Sequence, residues 1–124
     1  MMNLDLNDLE IYRLAKNLSR EGWKIYETLD WRDKKIMGDQ FISAVDSMGA
    51  NIAEGFGRYH FADKNKFNYN ARGSLQESRH WLALLWERGK ISKEVYGMFS
   101  DELEMLRRKL NNYINSGKRQ KANI

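Results

Sequence analysis

Apolar side chains in the first quarter of the chain return every three or four positions: Ile11, Leu14, Leu18, Gly22, Ile25 and Leu29. That spacing lines one face of a helix, because 3.6 residues complete a turn. It predicts a helix over about 8–29, with Asn7 or Asp8 able to accept a bond from a free N–H of the first turn. Tyr12, Trp23 and Tyr26 fall roughly 100° round from the stripe, as a second, aromatic face. The short connection Asp30-Trp31-Arg32-Asp33 follows, with Asp33 expected as the next cap. A second stripe, Met37, Phe41, Ala44, Val45, Met48 and Ile52, predicts a helix over about 34–57. Gly55 and Gly57 are expected to end it, since glycine tolerates the backbone of helix ends.

Arg58 to Ala62 reads as a loop, and Asp63 as a cap. Phe67, Ala71, Ser74, Leu75, Ser78, Leu82 and Leu85 predict a third helix over about 64–88, closed by Gly89. Ser92 then caps a fourth, over about 93–115, with Val95, Phe99, Leu103, Leu106, Leu110 and Tyr113 inward. Residues 1–6 are expected to fray, and the basic run 116–124 to be a disordered tail. Alternation of the strand type is absent, and so is proline. Four helices of similar length on short connections predict one all-α domain. Its arrangement is expected to be an antiparallel, up-down-up-down four-helix bundle over about 8–115.

Opposite the core stripe of the second helix lie Ser43, Ser47, Ala50, Glu54 and Gly57. Exposed helix faces usually carry Lys, Glu and Arg. Small residues there, with Gly38 and Gly49 in the helix itself, suggest that a second helix or another subunit comes close. Trp23, Tyr26, Trp81, Leu84 and Trp86 add more aromatic and apolar surface than a small bundle should leave in water. Ser43, Ser47 and these five residues are therefore the expected subunit interface.

Composition narrows the function. The 124 residues suffice for one core. Without cysteine there is neither disulfide nor thiol chemistry, which suits a reducing cytoplasm. No apolar run nears the roughly 20 residues of a membrane span, and the polar, acidic start is unlike a signal peptide. The net charge of +4 is uneven: seven basic against ten acidic residues in 1–57, fourteen against seven in 58–124. That asymmetry suggests either an acidic partner for the second half, such as RNA or DNA, or simply a soluble protein with solvated basic faces and a basic tail. One basic cluster is Arg58, Lys64, Lys66 and Arg72, interleaved with Tyr59, His60, Phe61 and Tyr69. The other is Arg107, Arg108 and Lys109 with Lys118, Arg119 and Lys121. Cations neutralise phosphates and aromatics stack on bases.

Catalytic and metal motifs are thin. Glu77-Ser78-Arg79-His80 is a single Glu-x-x-His, whereas a di-iron bundle needs two and two more glutamates. Glu77 and His80 also sit roughly 110° and 170° from the core stripe of their helix. The alternative is a cation or small-ligand site of Glu54, Glu77 and His80 at a subunit contact. Glu54 is otherwise expected to bind an arginine such as Arg58 or Arg79. Gly55-Phe56-Gly57-Arg58 lacks the preceding strand and the Lys-Ser/Thr of a phosphate loop. No nucleophile and base stand at a useful spacing, so the chain is expected not to be an enzyme and to need no cofactor.

The run Ala50-Asn51-Ile52-Ala53-Glu54-Gly55-Phe56-Gly57-Arg58 resembles the signature of the 23S rRNA intervening-sequence protein family. Leu9 to Ile25 resembles its first helix. Phe67 to Trp86, with Ala71, Gly73-Ser74-Leu75 and Glu77, resembles its third. Two departures stand out: Ile42 and Ser43 occupy positions that are often basic in the family, and Gly49 one that is usually proline. The resemblance implies a four-helix bundle assembled as a homo-oligomer, often a pentameric ring. It is also similar to accessory proteins of diversity-generating retroelements, which engage a nucleic-acid enzyme and nucleic acid.

Overall fold

The computed structural model describes residues 4–122, with side chains through 118. After a short turn at Leu6–Asp8, helix α1 spans Glu10–Thr28. Trp31–Asp33, a π-helical turn at Lys34–Gly38 and Asp39–Phe56 follow without a break as α2. Helix α3 spans Phe61–Glu87 and α4 spans Lys93–Ala122. The described residues are thus four helices with no strand.

The stripes form one core. Ile11, Leu18, Ile25, Phe41, Val45, Met48, Ile52, Leu75, Leu82, Leu85, Leu103, Leu106 and Leu110 are all buried in it. The α2 helix packs against α1 and α3, and α4 closes against the same two. Each stripe needed small corrections. Ala15 is fully buried, whereas Leu14 only packs against the core edge. In α3, Phe67 and Ser74 are half-buried and Asn68 is buried instead. In α4, Ile114 is buried and Tyr113 only partly, while Val95, expected inside, is exposed.

Helix ends follow local hydrogen bonding that periodicity does not encode. The cap position of α1 is Leu9, with no side-chain cap, rather than Asn7 or Asp8. Asp8 instead accepts the Asp5 backbone N–H at 3.0 Å. Asp30, not Asp33, caps α2, accepting the Asp33 N–H at 2.8 Å. Asp33 is thereby free to bind Lys90 at 3.0 Å, joining the α1–α2 and α3–α4 turns. His60 rather than Asp63 precedes α3. Ser92 does cap α4, accepting the Val95 N–H at 3.1 Å.

Gly89 ends α3 at φ 71°, with Lys90 N–H on the Leu85 carbonyl at 2.8 Å and Gly89 N–H on that of Trp86 at 2.9 Å. That is the Schellman pairing. Gly57, by contrast, stays right-handed at φ −77°. Helix α4 continues past the expected end to Ala122, through most of the stretch expected to be disordered. It has something to lie against: a Cβ at Gly117 would stand 3.1 Å from Phe61 Cε2. Residues 123 and 124 lie outside the described residues.

The glycines within α2 are filled by neighbours inside the chain. A Cβ on Gly38 would meet Leu29 Cδ1 at 2.9 Å and the Tyr26 ring at 3.2 Å. Gly49 faces Ala15 Cβ, at 3.7 Å from a Cβ. The close approach inferred for these two positions is therefore that of α1.

Candidate nucleic-acid interface

Where α2 gives way to α3, the chain runs through Gly57-Arg58-Tyr59-His60 and α4 arrives with Gly117 and Lys118. Helix α3 can start so close to α2 because Gly55 has no side chain. A Cβ there would stand 3.1 Å from Phe67 Cβ and 3.2 Å from the Lys64 carbonyl oxygen. The small residues of the signature run thus bring the first turns of α3, with their lysines, against the end of α2.

Two aromatic rings hold the cations at this end. The Arg58 guanidinium lies 5.0 Å and the Lys66 ammonium 6.0 Å from the Phe67 ring centre. Arg72 lies 4.7 Å and Lys118 5.5 Å from that of Tyr69. A cation over a ring face is attracted by the ring quadrupole. Arg72 also donates to Asn111 Oδ1 at 3.0 Å. Hydrogen bonding to Lys118, and next to Asn65, holds the Tyr69 phenol below its ordinary pKa. Arg58 binds Glu54 at 2.8 Å, one of the pairings expected for that carboxylate. Lys64, Lys66, Arg72 and Lys118 have no carboxylate partner among the described residues.

In the other basic cluster, Arg107 and Lys109 have carboxylate partners. Arg107 grips Glu104 through two bonds, Nη2 to Oε1 at 2.6 Å and Nε to Oε2 at 2.9 Å. Arg79 adds a third at 3.0 Å. These cations, the Arg107 hydrogen bonds foremost, hold the Glu104 carboxyl down to about 2. Lys109 lies 3.5 Å from Glu10, across to α1. Only Arg108 of the triplet is without an ion pair among the described residues. Arg119 and Lys121 have side chains outside the described set.

The expected interface residues divide. Trp81 and Leu84 are half-buried against the core of their own chain. Trp86 stacks on Tyr96 with ring centres 4.3 Å apart. Tyr26 is half-buried and donates its hydroxyl to Asp39 Oδ1 at 2.6 Å. Trp23 stacks on Tyr26 at 5.1 Å and stays 50% exposed. Ser47 turns its hydroxyl onto the Ser43 carbonyl at 2.7 Å, and Asn51 its amide onto that of Ser47 at 2.9 Å. Beside them Gly49, Ala50 and Ala53 form the floor of a shallow groove with Tyr12, Lys16 and Arg20.

Sequence periodicity did not anticipate a further apolar groove of about 440 Å³ between α1 and α4, with Ile25 and Phe99 below and Val95 and Met98 beside it. Val95 and Met98, exposed and three residues apart, were the available signal.

Within one chain, Glu54, Glu77 and His80 are not gathered into a cation site. Glu54 is taken by Arg58, Glu77 and His80 are exposed, and His80 instead meets the Trp81 ring edge-on at 5.0 Å. No group of three or more His, Cys, Asp or Glu among the described residues could hold a metal ion. Nor is any described helix long and apolar enough to cross a membrane.

Among curated proteins, no sequence match was found. Among solved structures, the chain is similar to the crystal structure of a protein of unknown function from the S23 ribosomal protein family of Bacteroides thetaiotaomicron. The two are 23% identical, with a TM-score of 0.80 over 85% of this chain and 95% of that one. A likeness at that identity shows the fold. The sequence model described as 23S rRNA-intervening sequence protein matches residues 7–112. With nearly its whole helical part covered, the chain belongs to the 23S rRNA-intervening sequence protein family.

Proposed function

We propose that this protein is a non-enzymatic, cytoplasmic, homo-oligomeric bundle, and that its α2–α3 end contacts RNA or DNA phosphates as a nucleic-acid or ribonucleoprotein accessory. One observation carries the proposal: Lys64, Lys66, Arg72 and Lys118 gather at one end without carboxylate partners among the described residues, two of them braced over Tyr69. Cations so placed release the counterions of a polyphosphate backbone when they meet it. Repetition around an oligomer would multiply the effect, since linked contacts act at high effective concentration.

The helices of each subunit run up-down-up-down in this reading. Arg72–Asn111 and Arg79–Glu104 join α3 to α4 with one number rising as the other falls, and Asn17–Glu102 and Glu10–Lys109 join α1 to α4 alike. Exposed Trp23 and the small-residue groove beside it would meet a neighbouring subunit, in a ring of about five copies as the family resemblance implies.

Anisotropy of a labelled single-stranded RNA, titrated with the nuclease-treated full chain at two salt concentrations, tests the phosphate contacts. Charge reversal in Lys66→Glu/Arg72→Glu should weaken binding and reduce the salt slope by about 1.4, at roughly 0.7 per lost contact. A slope unchanged by the double variant would reject this end as the interface. Light scattering on the same sample should give a mass of several subunits, and a monomer would reject the assembly.

A further inference from the structure

We infer that Tyr59 is a stacking platform for an unpaired nucleobase, so that the nucleic acid taken by this end is single-stranded where it meets the protein. The inference rests on the phosphate-binding reading above and adds to it the form of the ligand.

The aromatic residues Phe67, Tyr69 and Tyr59 at the basic end stand in different surroundings. Phe67 and Tyr69 lie on α3, and each has cations over its ring. Tyr59 is on the short turn between α2 and α3 and is 90% exposed. Among the described residues its ring meets that of His60, 5.2 Å away and nearly perpendicular. The turn is therefore tipped with an open aromatic surface. Its sequence neighbour Arg58 is held over Phe67 and by Glu54, and Lys64 and Lys66 follow within the first turns of α3.

An exposed ring on the turn that leads into a lysine-bearing helix start fits one partner chemistry closely. Backbone phosphates meet the ammonium and guanidinium groups, and a base lies on the phenol ring. Only an unpaired base can do so, because bases in a duplex already stack on each other and show the protein only their edges. An intact duplex would meet the cations alone and leave Tyr59 idle.

The test uses the full chain and three labelled RNAs of equal length: oligouridine, an abasic strand with the same backbone, and a duplex. Tyr59→Ala should weaken oligouridine binding by about 5- to 150-fold, the range of one lost base stack, and leave the abasic strand and the duplex within about twofold. Tyr59→Phe keeps the ring and should bind oligouridine as the parent does. Tyr59 is exposed, so unchanged melting of both variants is expected and is checked alongside. Equal losses on all three RNAs, or no loss on any, would overturn the stacking role. If Lys66→Glu/Arg72→Glu nonetheless removes salt-sensitive binding, the phosphate reading survives that failure. If the parent binds none of the three, both readings fall together.

Discussion

Replacing Gly55 with alanine should destabilise the bundle, although alanine is the better helix former. The usual exchange inside a helix gains about 0.5–1 kcal/mol, because glycine loses more backbone freedom on folding. At Gly55 the new methyl would lie 3.1 Å from Phe67 Cβ and 3.2 Å from the Lys64 carbonyl oxygen. Comfortable carbon contacts begin near 3.5 Å. Both obstacles are fixed to the backbone of α3, so relief requires a shift of the whole helix by a few tenths of an ångström. Overpacking of this kind costs about 1–3 kcal/mol. The net expectation is a loss of about 0.5–2 kcal/mol, or roughly 2–10 °C in melting temperature for a chain of this size.

Gly73 supplies the internal control. It is helical, exposed, and a Cβ there meets nothing within 4 Å. Gly73→Ala should therefore raise the melting temperature by roughly 2–4 °C. Thermal unfolding followed by helical circular dichroism, at one protein concentration because assembly would shift the midpoint, compares the two. If Gly55→Ala melts at or above the parent while Gly73→Ala also rises, α3 does not approach α2 as described, and the account of the signature glycine fails.

Gly89→Ala should cost about 1–2 kcal/mol, since its φ of 71° is left-handed and strains any residue with a Cβ; chemical denaturation should show the midpoint falling. Glu104 is lowered from 4.5 to about 2 by its arginines, so the carboxylate's contribution to stability is full well above pH 4.5 and is lost as pH falls toward 2. Denaturation of the parent and of Glu104→Gln from pH 6 to pH 2 should show the stability gap between them closing, and a constant gap would refute the pairing. Zinc, nickel or manganese ions should leave the melting temperature unchanged, because Glu54, Glu77 and His80 are not gathered within one chain; a rise that is lost in His80→Ala would instead point to a site completed by a second subunit.

The fold was legible in the sequence wherever a side chain's position alone decides its fate. Leu18, Ile25, Phe41, Leu75 and Leu103 are buried because they fall on a face, and a face follows from numbering. Caps were less legible, since several acceptors compete for the same free N–H groups. Asp30 and Asp33 are both good caps; Asp30 takes the role, and Asp33 pairs with Lys90 from far along the chain. The glycines show the same limit. Periodicity identified Gly38 and Gly49 as places of close approach but could not say that α1 was the neighbour. The end of α4 was misjudged because composition favoured disorder, whereas contact with Phe61 and Tyr69 gives the helix a surface to follow.

Charge was the least legible property, because what matters is the charge left after pairing. In sequence, Arg107-Arg108-Lys109 is the densest basic triplet. Folding places Glu104 one turn before it, shared between Arg107 and Arg79, and Glu10 across from it, so that two of its three cations have carboxylate partners. The looser set around residues 58–72 has the opposite fate. Arg58 pairs with Glu54, but Lys66 meets Phe67 and Arg72 meets Tyr69, which brace them without cancelling their charge, and Lys118 joins from the far end of the chain. An aromatic partner thus preserves a cation for an outside anion in a way that a carboxylate cannot. This difference moves the proposed interface from the flank of α4 to the α2–α3 end, where the glycine at position 55 allows the two helices to meet.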